Sequence, residues 1–165
     1  EVITVADIKG HGKLGALRNK GIEKATGDII ISLDCDILIE KDFFPGIEEF
    51  SFWHDWNICS CRVLNPNGSR HWDYKVHEPS DKLLDYFDRH NNSVLTGGVV
   101  IAKAEVYNRV KWNEQLGYYQ AEDIDFSRRV QESGIEIMFN PYSTVTHNDP
   151  RYVRVHGVGV LRNGS

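Results

Sequence analysis

Short apolar runs alternate with amphipathic segments along most of the chain. Residues 29–33 read Ile-Ile-Ile-Ser-Leu, a run apolar on both faces that predicts a parallel strand covered on both sides. Residues 94–102 form a second such run, which contains Gly97 and Gly98. Three further segments repeat their apolar positions at helical spacing and are predicted to be helices, at 13–26, 42–52 and 122–133.

The remaining elements are predicted from shorter patterns. They are, in chain order, a strand at 1–6, strands at 57–64 and 71–76 around a hairpin turn at 65–68, helices at 79–89 and 103–109, and short strands at 135–139 and 143–146. The alternation of strands and helices predicts an α/β fold with a mainly parallel, twisted sheet. No repeat or linker interrupts the pattern, so we expect residues 1–165 to form a single domain.

The net charge of −5 narrows the possible partners. Nucleic acids are bound mainly through clustered Lys and Arg, so we expect no nucleic-acid partner. The sequence contains no apolar run of 18 residues and no signal-peptide pattern, so no transmembrane segment is predicted. The sequence does not predict an oligomeric state.

The glycines at residues 10–15, GHGKLG, match the G-x-G-x-x-G pattern of dinucleotide-binding proteins. Asp34 follows at about the distance where such proteins place an acid for a ribose hydroxyl, which makes an NAD-type oxidoreductase domain one alternative. However, Asp7, Ile8 and Lys9 separate the first glycine from the predicted strand. We therefore expect residues 10–15 to form a surface loop without a tight strand-to-helix turn.

Two carboxylates, Asp34 and Asp36, follow the predicted strand at 29–33. Open α/β sheets bind ligands where their strands end, and two nearby carboxylates repel each other unless a cation lies between them. Mg²⁺ or Mn²⁺ bound there would bridge to a diphosphate. The alternative is an ordinary polar loop after a strand.

A second acidic cluster begins the predicted helix at 122–133. Asp125 precedes Arg128 and Arg129 by three and four residues, the spacing of an exposed salt bridge. Asp123 instead precedes the apolar Phe126 and Val130 by three and seven residues, so its carboxylate should head the buried face. An inward-facing carboxylate is a candidate for chemistry, although acids are also favoured in any first helical turn by the helix dipole.

His147 follows the last predicted strand, within Thr-His-Asn. A lone histidine is more often structural than a ligand. If a metal binds Asp34 and Asp36, however, an imidazole would complete a mixed nitrogen and oxygen set that suits Mn²⁺ better than Mg²⁺. We therefore expect His147 to meet both acids at the edge of the sheet where strands end.

Taken together and in this order, these sites resemble the GT-A class of nucleotide-sugar glycosyltransferases. The resemblance extends to a large inverting bacterial family that makes polysaccharides and to the animal β-1,4-galactosyltransferases. It covers roughly residues 14–149, and the stretches that carry it are RNKGIEKATGDIIISLDCDI, TGGVVIAKAEVY, GYYQAEDIDFSRRV and VTHND.

The resemblance implies a metal-dependent enzyme that uses a nucleotide-sugar donor, with UDP as the expected nucleotide and Mn²⁺ or Mg²⁺ as the cofactor. It implies a glycan or another hydroxyl compound as acceptor. It is consistent with a cytoplasmic protein, one at a membrane surface, or one in the Golgi lumen of a eukaryote. The residues implied on the donor side are Arg18 and Asn19 for the nucleotide, Asp36 and Asp34 for the metal and sugar nucleotide, His147 for the metal, and Gly97 and Gly98 for close approach of the donor sugar.

On the acceptor side, the resemblance implies that Asp123 is the general base of an inverting transfer and that Glu122 holds the acceptor. The metal would stabilise the departing diphosphate. Three aromatic residues before this acid pair could stack on sugar faces or pack in the core: Trp112, Tyr118 and Tyr119.

Two features depart from the resemblance. Ile37 follows the Asp-x-Asp motif where the bacterial family often has another acid, which favours the galactosyltransferase-like variant. The usual first strand with its nucleotide-binding loop does not precede Glu1, so we expect the first unit of the fold to be missing from this chain. This leaves a further alternative, a non-catalytic carbohydrate-binding or scaffold domain.

Overall fold

The computed structural model describes residues 1–7, 10, 12–117 and 120–149. The helices and strands of this part of the chain are, in order, α1 (Leu14–Ile22), β1 (Ile29–Leu33), β2 (Ile37–Ile39), α2 (Phe43–Trp53), β3 (Ile58–Leu64), β4 (Lys75–His77), β5 (Asp81–Leu83), β6 (Ser93–Val94), β7 (Val99–Lys103), α3 (Ala104–Arg109), α4 (Glu122–Glu132) and β8 (Ile137–His147). None of these helices has the length and apolar character that a membrane crossing requires.

The main sheet has five strands in the order β1-β7-β3-β8-β2. This confirms the predicted α/β class, but the prediction of a mainly parallel sheet is wrong, because only β3 and β8 pair in parallel. Two antiparallel steps separate β1 from β3, so β1, β3 and β8 still run in one direction. We call the side of the sheet where these three strands end the carboxyl edge.

A second sheet consists of three short antiparallel strands in the order β5-β4-β6. Two further predictions are wrong in this region of the chain. The helix predicted at 79–89 is absent, and residues 81–83 form β5 instead. The predicted hairpin is reduced to one bridge between Leu64 and Arg70, because β4 pairs with β5 and β6 rather than with β3. Cross-strand pairing with segments distant in sequence decides both outcomes.

Apolar side chains cover both faces of the main sheet. On β7, Val100 and Ala102 pack with α3 and α4, whereas Val99 and Ile101 pack with α2, as the two-residue repeat of a strand requires. The prediction of a parallel strand at 29–33 is wrong, because β1 pairs with β7 in the antiparallel direction. Its two faces are nevertheless partly covered, since Ile30 packs with the cluster of α3 and α4 and Ile31 with that of α2. Strand β1 lies at the edge of the sheet, and Ile29 and Leu33 are 43% and 36% exposed.

The N-terminal residues and the last strand also differ from expectation. Residues 1–7 form no strand, and Val2 is 95% exposed. The strands predicted at 135–139 and 143–146 are one strand, β8, whose pairing with β3 shifts register between Cys61 and Arg62.

Helix α2 packs closely on this irregular part of β8. The Ser143 hydroxyl donates a hydrogen bond of 2.7 Å to the Phe43 carbonyl oxygen, and the Asn140 amide donates one of 3.3 Å to that of Gly46. A Cβ atom at Gly46 would lie 2.6 Å from the Ser143 backbone nitrogen and closer still to the Tyr142 carbonyl. The absence of a side chain at Gly46 therefore allows this contact.

We expect Gly46→Ala to lower the free energy of unfolding by about 1–3 kcal/mol, because the new methyl group has only backbone to displace. In an uncrowded helix the same change would stabilise, so the sign of the effect tests the contact. Urea denaturation measures it. Gly27→Ala is the control, since its Cβ would meet its nearest atom at 3.5 Å, and an equal effect of both changes would contradict the prediction.

Candidate active site

Arg18 on α1 is buried, with 8% of its surface exposed, and it joins three separate segments of the chain. One terminal nitrogen donates to Oδ1 of Asp34 at 3.0 Å and to the carbonyl oxygen of Gly97 at 2.9 Å. The other donates to Oε1 of Glu122 at 3.2 Å. The guanidinium also lies 4.5 Å from the centre of the Trp112 ring, at cation–π distance. Arg18 thus connects the acids after β1 with those at the start of α4.

Asn19 is also buried and is bonded entirely within the protein. Its amide nitrogen donates to the Trp112 carbonyl and to Glu114, both at 2.9 Å, and its oxygen accepts the Trp112 amide hydrogen at 3.0 Å. Trp112 is 2% exposed and stacks on Phe126 with ring centres 4.0 Å apart, so of its two predicted roles the structure shows core packing. Direct contact of Arg18 and Asn19 with a nucleotide stays a prediction.

Asp34 and Asp36 lie in a turn that carries the chain from β1 at one edge of the sheet to β2 at the other. The strand ends at Leu33, and the Ile37 amide donates back to the Asp34 carbonyl at 3.1 Å. The two carboxylates therefore have different partners. Asp34 binds Arg18, whereas Oδ2 of Asp36 lies 3.3 Å from Nε2 of His147.

Of the predicted meeting of His147 with both acids, the structure shows the contact with Asp36. His147 ends β8, and Asp34 follows β1, both at the carboxyl edge. Ile37 pairs with His147 across β2 and β8, and the Asn148 amide donates to the Asp36 carbonyl at 2.8 Å. This pairing places Asp36 against the imidazole.

The carboxylates at this edge are close enough to affect one another's ionisation. Burial raises the pKa of Asp34, Arg18 opposes this shift, and the nearby charges of Asp36 and Glu122 add to it. Within the described residues, however, no group of three or more His, Cys, Asp or Glu side chains is arranged to hold a metal ion. Asp36 and His147 are thus a pair of possible ligands, one oxygen and one nitrogen.

A second imidazole lies beside this pair and was not predicted. The ring of His71 packs edge-on against that of His147, with centres 4.8 Å apart, and its Nδ1 lies 2.9 Å from Oδ1 of Asn65. Burial lowers the pKa of His71, and the nearby His147 lowers it further. Nothing in the local sequence indicates the contact, because 76 positions separate the two histidines.

Glu122 and Asp123 begin α4 immediately after Ala121, whose φ of 55° is rare for a residue with a side chain. Oδ1 of Asp123 accepts the Ile124 amide hydrogen at 2.9 Å, and Oδ2 lies 4.0 Å from the ammonium of Lys75. Burial raises the pKa of Asp123, Lys75 opposes this shift, and Glu122 adds to it. A desolvated carboxylate at this position is a stronger base than an exposed one.

The predicted facing of α4 is confirmed. Phe126 and Val130 are fully buried on the face that Asp123 heads. Asp125 accepts hydrogen bonds from Arg129 at 2.6 and 2.9 Å, the four-residue pair that its spacing predicted.

Gly97 and Gly98 lie between the two acidic groups. A Cβ at Gly97 would come within 3.5 Å of Glu122, Arg18 and Asp123. One at Gly98 would meet Ile37 at 3.3 Å, and the Gly98 carbonyl accepts the Asp34 amide hydrogen at 3.0 Å. The lack of a side chain is thus explained at Gly97 by the packing of Arg18 and the acids of α4, and at Gly98 by the packing of Ile37.

The glycines of residues 10–15 do not form a dinucleotide-binding turn in the described part of the chain. Residues 1–7 form no strand, which agrees with the prediction that these glycines do not make a tight strand-to-helix turn. The expected surface loop is wrong for Gly15, which is buried within α1 against the backbone of Asn113. His11, and the candidate sugar-stacking residues Tyr118 and Tyr119, lie outside the described residues.

The chain is similar to known proteins in sequence pattern and in fold. The family model "Glycosyl transferase family 2" matches residues 2–111. No curated protein matches the chain by sequence. A structure of GalNAc-T7 with UDP, GalNAc and Mn²⁺ superposes with a TM-score of 0.59 at 16% identity, covering 82% of this chain and 30% of that one.

Two other solved structures are similar. Drosophila β1,4-galactosyltransferase 7 in complex with xylobiose has a TM-score of 0.53 at 18% identity, over 92% of this chain and 57% of that one. A mutant of that enzyme is in complex with manganese, UDP-Gal and xylobiose. TarS of S. aureus has a TM-score of 0.57 at 20% identity, over 81% of this chain and 40% of that one.

These similarities confirm the GT-A fold that the sequence resemblance implied. At identities of 16 to 20% they show the fold alone. The chain spans between 30% and 57% of the length of these proteins.

We expect Arg18→Met to lower the free energy of unfolding by about 3 kcal/mol, measured by urea denaturation at neutral pH. Removing one partner of a buried ion pair leaves the other charge buried and unpaired. The expected loss of stability lies at the low end of the usual range because Asp34 is partly exposed. Lys111→Met is the control, because its pair with Glu23 is exposed on both sides. If both variants lose the same stability, Arg18 does not hold the site together.

Proposed function

Because the chain belongs to glycosyl transferase family 2, we propose that it transfers a sugar from a UDP-sugar to an acceptor hydroxyl with inversion at the anomeric carbon. The observation that carries the proposal is the hydrogen bonding of one buried guanidinium to both Asp34 and Glu122. This contact places Asp34, a candidate donor-side acid, close to Glu122 and therefore to the neighbouring candidate base, Asp123.

The ligands of similar structures support the donor class. UDP and Mn²⁺ accompany GalNAc-T7, and manganese, UDP-Gal and xylobiose accompany the mutant Drosophila enzyme. We therefore propose a UDP-sugar donor, Mn²⁺ or Mg²⁺ as the ion, and a glycan or other hydroxyl compound as acceptor. These assignments rest on similarity of fold, because the sequence identities are low.

The side chains at the carboxyl edge fit a divalent cation. Asp36 and His147 would hold it, and their mixed oxygen and nitrogen set suits Mn²⁺. Asp34, held by Arg18, would add negative charge beside the ion. When bound, the ion would offset the charge that develops on the departing diphosphate.

Asp123 is assigned as the general base. Its Oδ2 accepts the proton of the acceptor hydroxyl. Lys75, the cation at ion-pair distance from it among the described residues, lies 4.0 Å away and does not occupy this oxygen with a short hydrogen bond. The acceptor oxygen forms a bond to the anomeric carbon as the bond from that carbon to the diphosphate oxygen breaks. Attack on the face opposite the leaving nucleoside diphosphate inverts the configuration.

The neighbouring residues orient the two substrates. We assign Glu122 to the acceptor, because Arg18 engages its Oε1 and the second oxygen can accept a hydroxyl hydrogen. Gly97 and Gly98 would allow the donor sugar to approach the backbone. Arg18 and Asn19 are further assigned to the donor nucleotide side, where they hold the acids and the Trp112 segment in position.

The NAD-type alternative lacks its structural requirement, because a dinucleotide-binding turn joins a strand to a helix and residues 1–7 form no strand. The scaffold alternative predicts that neither UDP nor its metal complex binds. Binding measurements on the full-length protein therefore separate these alternatives from the transferase.

We expect Asp36→Asn to weaken Mn²⁺-dependent UDP binding by tenfold or more, because it removes a charged ligand of the ion. Tryptophan fluorescence, titrated with UDP in the presence and absence of Mn²⁺, measures the change. Asp55→Asn is the control, since Asp55 is almost fully exposed and lies in a different ion pair. UDP binding that is independent of Mn²⁺ in the unmodified protein would contradict the metal assignment.

We expect Asp123→Asn to lower the rate of sugar transfer by about 10² to 10⁴ while UDP binding stays unchanged. The variant keeps the shape of the side chain and the oxygen that binds the Ile124 amide, but it cannot take a proton. Asp125→Asn is the matched control, because its helical ion pair contributes only about 0.2–0.5 kcal/mol. Normal transfer by Asp123→Asn, with loss in Asp125→Asn, would show that the base is misassigned.

A further inference from the structure

Lys75 is a charged side chain that is buried beside the candidate active site. The residue is 7% exposed and lies on β4, the central strand of the small sheet. It pairs with Leu83 on β5 and with Val94 on β6, so its backbone is held on both sides. A buried ammonium is rare in proteins unless carboxylates compensate it.

Two carboxylates from different elements compensate this charge. The ammonium donates a hydrogen bond of 3.1 Å to Oδ2 of Asp81 on β5, and it lies 4.0 Å from Oδ2 of Asp123 on α4. The first contact is a charged hydrogen bond, and the second is an ion pair without one. Asp81 therefore tethers Lys75 at a position from which its charge acts on Asp123.

Strand β6, which packs against α4, consists of the uncharged Ser93 and Val94. Strand β8 also packs against α4, and of its titratable side chains His147 lies against Asp36 and Tyr142 packs with the α2 cluster. Most of the charged groups on α4 and on nearby segments are paired with one another. In the described part of the chain, Lys75 is the cation at ion-pair distance from Asp123. The paired groups are Glu122 on α4 with Arg18 on α1, Arg128 on α4 with Glu78, Arg129 on α4 with Asp125, and Asp81 on β5 with Lys75 and His77.

We propose that Lys75 is a positioning residue for the base: its ammonium holds the Asp123 carboxylate in place and in the ionised form that accepts a proton. This inference rests on the proposed function, which assigns Asp123 as the base. Burial by itself favours the neutral acid, and a neutral acid cannot remove the proton of the acceptor hydroxyl. The charge of Lys75 offsets that effect of burial.

Asp81 keeps the ammonium of Lys75 paired while Asp123 takes up the proton. When Asp123 takes the acceptor proton, its negative charge disappears, but Lys75 keeps its hydrogen bond to Asp81. The proton transfer therefore does not leave a buried ammonium without a counter-charge, which would oppose the step. The longer distance to Asp123 also leaves the lone pairs of its Oδ2 available.

The test replaces Lys75 in the full-length protein by Met, which keeps the length of the side chain and removes its charge. We expect the acid limb of the pH profile of kcat/KM to move up by about one pH unit or more, because an opposite charge at this distance lowers a carboxyl pKa by that amount. NMR titration of the ¹³C-labelled Asp123 carboxyl should show the same shift. Lys75→Arg should restore most of it.

Lys103→Met is the matched control, since Lys103 pairs with the exposed Asp55, and neither residue belongs to α4 or to the small sheet. The pH profile of this variant should be unchanged. Circular dichroism and Mn²⁺-dependent UDP binding establish that each variant is folded. If Lys75→Met fails to fold, Asp81→Asn replaces it. That variant frees Lys75 for Asp123 and should move the acid limb down.

The outcomes separate this inference from the proposed function. An unchanged carboxyl titration in Lys75→Met, or no downward shift in Asp81→Asn where that variant replaces it, overturns the role of Lys75. The base assignment then still stands if Asp123→Asn has lost transfer. Conversely, normal transfer by Asp123→Asn overturns the base assignment and with it the positioning role, even if Lys75→Met shifts the carboxyl titration.

Discussion

The need to compensate one buried guanidinium determines how the candidate site is assembled. Arg18 is withdrawn from water on α1, so its charge must be compensated by the protein. Asp34 and Glu122 compensate it, and together with the Gly97 carbonyl they accept hydrogen bonds from its two terminal nitrogens. These three residues belong to segments that are far apart in sequence. A Cβ at Gly97 would lie 3.3 to 3.5 Å from side-chain atoms of Glu122, Arg18 and Asp123, so the glycine leaves room for this packing. The acids after β1 and at the start of α4 are thereby held in one network.

The directions of the strands in the main sheet bring Asp36 and His147 to the same edge as Asp34. Three of the four strand pairs in the main sheet are antiparallel, yet β1, β3 and β8 run the same way. Their carboxyl ends therefore share one edge, which is where open sheets place ligands. The turn of Asp34 and Asp36 crosses this edge, so one acid meets Arg18 and the other meets His147. Burial raises the pKa of the acids on both sides of the network, Asp34 and Asp123, and a neighbouring cation opposes the shift in each case.

The sequence by itself determined the features that depend on neighbours within a few residues. The helices α2 and α4 and the strands β1 and β7 follow from apolar positions repeated at helical or strand spacing. The same periodicity predicted that Asp125 pairs with Arg129 whereas Asp123 heads the buried face. The positions of the acids after β1 and of His147 at the end of β8 followed from where the strands end. These features are local because the energies that favour them act along one helix or one strand.

Only the tertiary structure decided which segments meet. The pattern of residues 29–33 fits a central strand, but β1 lies at an edge, because periodicity records apolar faces and not neighbours. Residues 79–89 are not a helix, since pairing with β4 and the ion pair of Asp81 with Lys75 outweigh local preference. Arg18 meets Asp34 and Glu122 across 16 and 104 positions of the chain, and Lys75 meets Asp123 from the small sheet. No spacing rule reaches that far. Such partners are selected by the burial of charge, which exists only once the chain has folded.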